Sequence, residues 1–167
     1  MLFYFTATGN SLYVAKQLND ARVSIAQAVH DAEKTYRADK IGIVCPIFGH
    51  EVPSLVKEFL SVSTFETDYF YLILTYGNRH GGAAALTQTT LQSIGIYPSY
   101  IGLVLMVDNF LPGFDMNEQK MINKKVEEQV ARIQSDVDCK RVCIPPVTYQ
   151  DRAAYKEDLN RMAGMSK

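Results

Sequence analysis

The side chains able to perform chemistry concentrate in a few short segments. The first is Thr6-Ala7-Thr8-Gly9-Asn10-Ser11, set between an apolar run and a helical pattern. Hydroxyls, a glycine and the free N–H groups of a helix start together make a site for an anion. No lysine lies in the segment, and neither the G-x-x-x-x-G-K-[ST] nor the G-x-G-x-x-G spacing is found there. Neutral donors alone suit a phosphate monoester held without a metal. The same residues read equally as a Thr/Ser cap on a tight turn. Two further segments, Pro46-Ile47-Phe48-Gly49-His50-Glu51-Val52-Pro53 and Tyr76-Gly77-Asn78-Arg79-His80-Gly81-Gly82, combine aromatics with glycines and polar groups. Phe48 and Tyr76 read either as ring-stacking groups or as anchors of their own loops. Arg79 and His80 read as solvated loop residues. A fourth stretch, residues 108–113, carries Asn109 and Phe110. His30, His50 and His80 are scattered and form no Ser/His/Asp arrangement. Cys139 and Cys143 stand at helical spacing but supply only two ligands, too few for a metal.

Each segment follows a strand candidate. Residues 2–5 run apolar, after which Leu12, Ala15 and Leu18 recur at helical spacing. Residues 23–26 are a weaker strand candidate, and residues 27–39 predict a short helix or loop. Residues 41–47 predict a second strong strand. Pro53 then opens a helix with Leu55, Val56, Phe59 and Leu60 inward. Residues 69–75 predict a third strong strand, and residues 83–94 a helix with Leu86, Thr90, Leu91 and Ile94 on one face. The continuous apolar run 100–107 suits a strand covered on both sides. Asp115 and Glu118 pair like a capping box, and Ile122, Val126, Val130, Ile133 and Val137 mark one amphipathic helix. Residues 139–149 predict irregular chain. Residues 150–163 predict a last helix with Tyr155, Leu159 and Met162 as its inner edge. Strands alternating with helices need crossovers, and crossovers give a parallel sheet. Ligands of such sheets bind beyond the carboxyl ends of the strands, where the polar segments fall.

The chain has 167 residues, 47% hydrophobic and 21% charged, enough for one domain with a full core. The expected layout is a single domain over 1–167, with a core at 1–137 and a C-terminal extension at 138–167. The 17 basic and 18 acidic residues nearly cancel, which argues against nucleic acid as a partner. The start shows no basic n-region or cleavage site. The uncharged stretch 81–107 is interrupted by Gln88, Thr89, Thr90, Gln92 and Ser93, so no membrane span is expected. Three cysteines read as reduced thiols, and the expected location is cytoplasmic.

Phe5-Thr6-Ala7-Thr8-Gly9-Asn10-Ser11 resembles the phosphate loop of flavodoxins, T/S-x-T-G-x-T/S, at the same place after the first strand. The Pro46–Pro53 segment resembles the family's loop after the third strand, an aromatic and a glycine before a helix-starting proline. The Tyr76–Gly82 segment resembles its glycine-rich loop after the fourth. The likeness covers residues 1–137. The opening Phe-x-Ala-Thr-Gly-Asn-Ser is similar in particular to the flavodoxin-like halves of flavodoxin–ferredoxin fusion proteins. The C-x-x-C-x-x-C cluster of the ferredoxin part is absent. Residues 27–39 are short for the family's second helix, and the chain beyond Asp138 has no family counterpart.

The resemblance implies a flavodoxin-like, open, doubly wound sheet of five parallel strands in the order 2-1-3-4-5, with helices on both faces. It implies FMN as cofactor and electron transfer as activity. Thr6, Ala7, Thr8, Gly9, Asn10 and Ser11 would hold the phosphate. Pro46, Ile47, Phe48 and Gly49 would flank one side of the ring, with Phe48 stacked and the Gly49 peptide beside flavin N5. Tyr76 would stack on the other side, and Gly77, Asn78 and Gly81 would present N–H groups to the pyrimidine edge. Asn109 would lie at the rim. The electron partner, a reductase or ferredoxin-type protein, would be on another chain. His50, Arg79 and His80 would bring positive charge near the ring. Two alternatives stand beside the carrier. One is an FMN-dependent NAD(P)H:quinone-type oxidoreductase, with the 138–167 extension available for a homodimer interface. The other is a flavin-free α/β binding module.

Overall fold

In a computed structural model, residues 1–18, 21–108 and 115–165 are described. Five strands form one parallel sheet: β1 (Leu2–Tyr4), β2 (Arg22–Ser24), β4 (Lys40–Pro46), β6 (Tyr69–Tyr76) and β7 (Tyr100–Leu105), in the order β2-β1-β4-β6-β7. Two short strands, β3 (Thr35–Arg37) and β5 (Thr64–Glu66), pair apart from it. Numbering the main-sheet strands alone gives 2-1-3-4-5, the flavodoxin-like doubly wound arrangement expected from the sequence.

Period-two alternation sends strand side chains to two separate cores. Phe3, Ile41, Ile43, Cys45, Phe70, Leu72, Leu74 and Ile101 pack under α2 (Ile25–Ala28), α3 (Ser54–Val62) and α4 (Ala83–Ser93). Leu2, Val44, Tyr69, Tyr71, Ile73, Tyr100 and Val104 face α1 (Asn10–Gln17) and α6 (Val126–Asp138). Tyr71 is fully buried because Gly42 beside it lacks a side chain; a Cβ there would lie 2.2 Å from the ring.

Several elements depart from the sequence expectation. The 27–39 stretch holds neither a full helix nor plain loop. A four-residue α2 is followed by β3, and Tyr36 joins Phe3, Phe59, Phe65 and Phe70 in an aromatic cluster. The inward face of α4 is Ala83, Ala84, Thr87 and Leu91, while Ile94 is largely exposed. Small residues there let the helix lie close on the sheet. The helix expected from Ile122 to Val137 begins only at Val126, as α6, and a separate helix, α5 (Met116–Met121), precedes it across a turn in which Lys125 is left-handed. Asp115 caps α5 through the Asn117 N–H. Within 139–149, Cys143 pairs with Tyr100 in one parallel bridge beside β7. The last helix, α7, spans Tyr149–Met165, but Leu159 is exposed and the buried position is Asp158. Of the inner edge expected, Tyr155 is part-buried against the His50 ring, Leu159 is exposed beside the buried Asp158, and the Met162 side chain lies outside the described ones.

Candidate functional site

The ends of β1, β4, β6 and β7 lie side by side, with Tyr4 opposite Val44, Pro46 opposite Thr75 and Tyr76 opposite Leu105. The order reverses between β1 and β4, the place where ligands of this topology bind.

The turn after β1 is built by neutral hydrogen bonds. Gly9 adopts φ +100, and no atom lies within 4 Å of where its Cβ would be, so the space above it is open. Its N–H donates to Thr6 Oγ1 at 3.0 Å, which leaves the Thr6 O–H hydrogen for another acceptor. Its carbonyl accepts from the Tyr13 N–H and starts α1. By helix geometry, the first-turn N–H groups of Asn10, Ser11 and Leu12 have no intrahelical acceptor. Ala7 and Thr8 are exposed at the tip. The last two residues of the segment also anchor it. Ser11 is buried, and its hydroxyl shares a hydrogen bond of 2.8 Å with Thr75 Oγ1 at the end of β6. Asn10 Nδ2 donates to the Val107 carbonyl at 2.9 Å, beyond β7.

After β4, Phe48 and Glu51 exchange two backbone hydrogen bonds, of 2.8 and 3.1 Å, around Gly49 and His50. Both central residues are left-handed, φ +56 and +70, as a two-residue turn of type I′ demands. Histidine is among the few residues besides glycine that accept this region. Pro46 and Ile47 are half-buried, and Phe48 projects its ring half into solvent. Glu51 closes an ion pair with Lys57.

After β6, Tyr76 is half-buried, edge-on to His80 at 5.3 Å. Burial raises its phenol above the ordinary value and the Asp151 carboxylate adds to this, so it stays neutral. Gly77 is pressed against Asp108, where a Cβ would lie 2.6 Å from the carboxyl carbon, and its carbonyl accepts from Lys124 Nζ at 3.0 Å. Asn78 is exposed. Gly81 lies beneath the His50 ring; a Cβ there would stand 2.0 Å from Nδ1. Asn109, with Phe110, lies outside the described residues.

The three side chains expected to bring positive charge near the ring each face a carboxylate. Arg79 donates to Glu157 and to Asp158, both at 3.0 Å, His50 Nε2 meets Asp158 at 2.7 Å, and His80 Nδ1 stands 3.6 Å from Asp151. These carboxylates belong to α7. Arg79 and His80 are therefore not free loop charges. Sequence reasoning missed Asp151, Glu157 and Asp158; Asp151, Tyr155 and Asp158 recur at helical spacing, a signal masked by reading the tail for apolar residues. It also missed Thr75 and Lys124.

Cys45 is buried in β4, and burial pushes its thiol up to about 12, which leaves it inert. Among the described residues, no group of three or more His, Cys, Asp or Glu side chains could hold a metal, and no helix is long and apolar enough to cross a membrane. A groove of about 240 Å³ between α3 and α4, lined by Val52, Leu60, Leu91 and Ile94, includes neither Thr6, Phe48 nor Tyr76.

The topology defines a flavodoxin-like α/β fold with a lysine-free turn at its switch point. No protein-family model matches the chain, and no curated protein does. Solved structures do. A Trp repressor binding protein from Bacillus subtilis is 10% identical with a TM-score of 0.49, over 80% of this chain and 94% of that one. An NAD(P)H:quinone oxidoreductase from Methanothermobacter marburgensis is 11% identical with a TM-score of 0.46, over 81% of this chain and 91% of that one.

Proposed function

We propose that the protein binds FMN across the carboxyl ends of β1, β4 and β6 and serves as an electron carrier for a redox partner on another chain. The observation that carries this reading is the turn after β1. It is lysine-free and open above Gly9, it keeps the Thr6 O–H available, and it leads into the N–H groups of α1. That donor set suits a phosphate monoester. Phe48 and Tyr76 stand at the ends of neighbouring strands and supply one aromatic face each. Bound FMN would supply one- and two-electron redox chemistry. The chain's part is to hold and orient it: Thr6, Thr8 and the first turn of α1 at the phosphate, Phe48 and Tyr76 at the ring. Gly49 gives the peptide beside the ring freedom to turn at low cost.

The test is a visible absorption spectrum of the purified protein, repeated after adding FMN, with calorimetric titration of the same material. Saturable uptake is expected. Folded protein that shows no heat and no association removes the reading. The carrier role further requires that the flavin-loaded protein not oxidise NAD(P)H unless a separate reductase is added.

A further inference from the structure

We propose that α7 is a latch across the candidate cofactor site and that Asp158 is its positioning residue. The mechanics stand on geometry alone; the consequence for a bound flavin rests on the reading above. Asp158 is buried, and its two carboxylate oxygens hold two different loops. Oδ2 accepts from His50 Nε2 at 2.7 Å, in the turn after β4, and Oδ1 accepts from Arg79 at 3.0 Å, in the loop after β6. The His50 ring lies on Gly81 of that same second loop and edge-on to Tyr155 of α7, 5.4 Å between centroids. One residue two turns away repeats the pattern: Asp151 faces His80, which in turn packs on Tyr76. Both aromatics assigned to the flavin ring thus stand in loops that α7 grips.

The grip is polar. Leu159 is exposed and Tyr149 almost wholly so, and none of the described side chains of α7 joins either core. A helix whose described side chains dock through a few polar contacts belongs to the low-stability end of a structure and opens without global unfolding. His50 gives the latch its reach. It occupies a left-handed position in a two-residue turn, its Nδ1 is buried without a hydrogen-bond partner, and its sole described polar contact is to Asp158. Undocking α7 strips the ring of that contact and Arg79 of both its carboxylates. The Phe48–Glu51 turn and the Tyr76–Gly82 loop then loosen together, and a ring held between them is released.

Amide hydrogen exchange read by mass spectrometry on the full chain without FMN tests the mechanics. Asp158→Asn should raise exchange in 46–53, 76–82 and 149–158 together, on the order of tenfold. Segment 6–17 should stay as protected as in the native chain. His50→Asn keeps a residue suited to the left-handed turn and should expose the same three segments. The double variant should be no worse than Asp158→Asn alone, since the two residues form one contact. Asp158→Glu retains a carboxylate and should restore protection at 46–53. Should Asp158→Asn fail to fold, Arg79→Gln tests one arm, loosening 76–82 and 149–158. Exchange that rises in α7 while 46–53 stays native, or costs that simply add in the double variant, overturns the latch. With FMN present, the latch variants should release it faster, read as recovery of free-flavin fluorescence. A native chain that takes up no FMN defeats the functional reading and leaves the exchange result to decide the latch.

Discussion

The turn after β1 and the loops after β4 and β6 meet at one end of one sheet, yet they are held in opposite ways. The first is fixed by neutral groups: the Gly9 N–H on Thr6, the buried Ser11–Thr75 hydroxyl pair, and Asn10 on the Val107 carbonyl. The others are tied by charge to a helix more than 70 residues downstream, through Asp158, Glu157 and Asp151. Exposed pairs such as Arg79–Glu157 contribute little, about 0–1 kcal/mol, because water screens them. The buried carboxylate is the stronger element, because removing one partner leaves a desolvated group unpaired. The contrast is between a rigid half, to which the proposed reading assigns the phosphate, and an adjustable half, to which it assigns the ring.

The largest effect should come from introducing a negative charge into the rigid half. Thr8 is exposed at the tip, so Thr8→Asp fits sterically but sets a carboxylate against an incoming phosphate. Like charges at such range cost several kcal/mol. FMN affinity should fall by roughly 100-fold or more with the melting temperature almost unchanged, as calorimetry and thermal unfolding would report. Binding that survives Thr8→Asp would take the phosphate away from this turn and dissolve the contrast.

How much of each half could be read from the sequence follows from the same difference. The rigid turn is contiguous, so Thr6 through Ser11 is legible as a string, and the strands that carry it alternate or run apolar as their burial requires. The pattern gave a parallel sheet, and its strand order came from the resemblance to flavodoxins that these contiguous segments carry. The adjustable half depends on His50 meeting Asp158, 108 positions away, and no local pattern encodes that. The tail invited a search for apolar residues at helical spacing, which found Tyr155 but passed over the buried Asp158 in favour of the exposed Leu159. The pair β3–β5 was hidden because each strand holds one aromatic, Tyr36 or Phe65, between two polar residues, too little for periodicity to declare.

A middling effect should separate structure from binding within the rigid half. Ser11 and Thr75 share one buried hydrogen bond. Ser11→Ala leaves the Thr75 hydroxyl without that partner and should cost about 1–3 kcal/mol in chemical denaturation. Combining it with Thr75→Val removes both hydroxyls and should recover much of the loss. A double variant as unstable as the sum of the two singles would mean that the pair is not the anchor.

The smallest effect, and the sharpest comparison, is the response to acid. The six residues from Thr6 to Ser11 contain no group that titrates, so their turn should be indifferent to pH until the whole domain unfolds. The helix latch is different. Burial pulls the Asp151 carboxyl up, but the Thr148 hydroxyl and N–H, with His80, pull it further down, and it ends below the ordinary carboxylate value. A depressed carboxylate contributes stability that is complete above its unlatched value, about 4, and that disappears as the pH falls through the latched one. Thr148 and Asp151 also form the reciprocal cap that starts α7, with hydrogen bonds of 2.9 and 3.1 Å between backbone and side chains, so protonation weakens the helix start and its contact with His80 together. Followed by amide chemical shifts from pH 7 to 3, residues 148–158 should change before residues 6–11, and Asp151→Asn should flatten that early change. If both segments move in one step and Asp151→Asn alters neither, the two halves of the site are a single rigid unit.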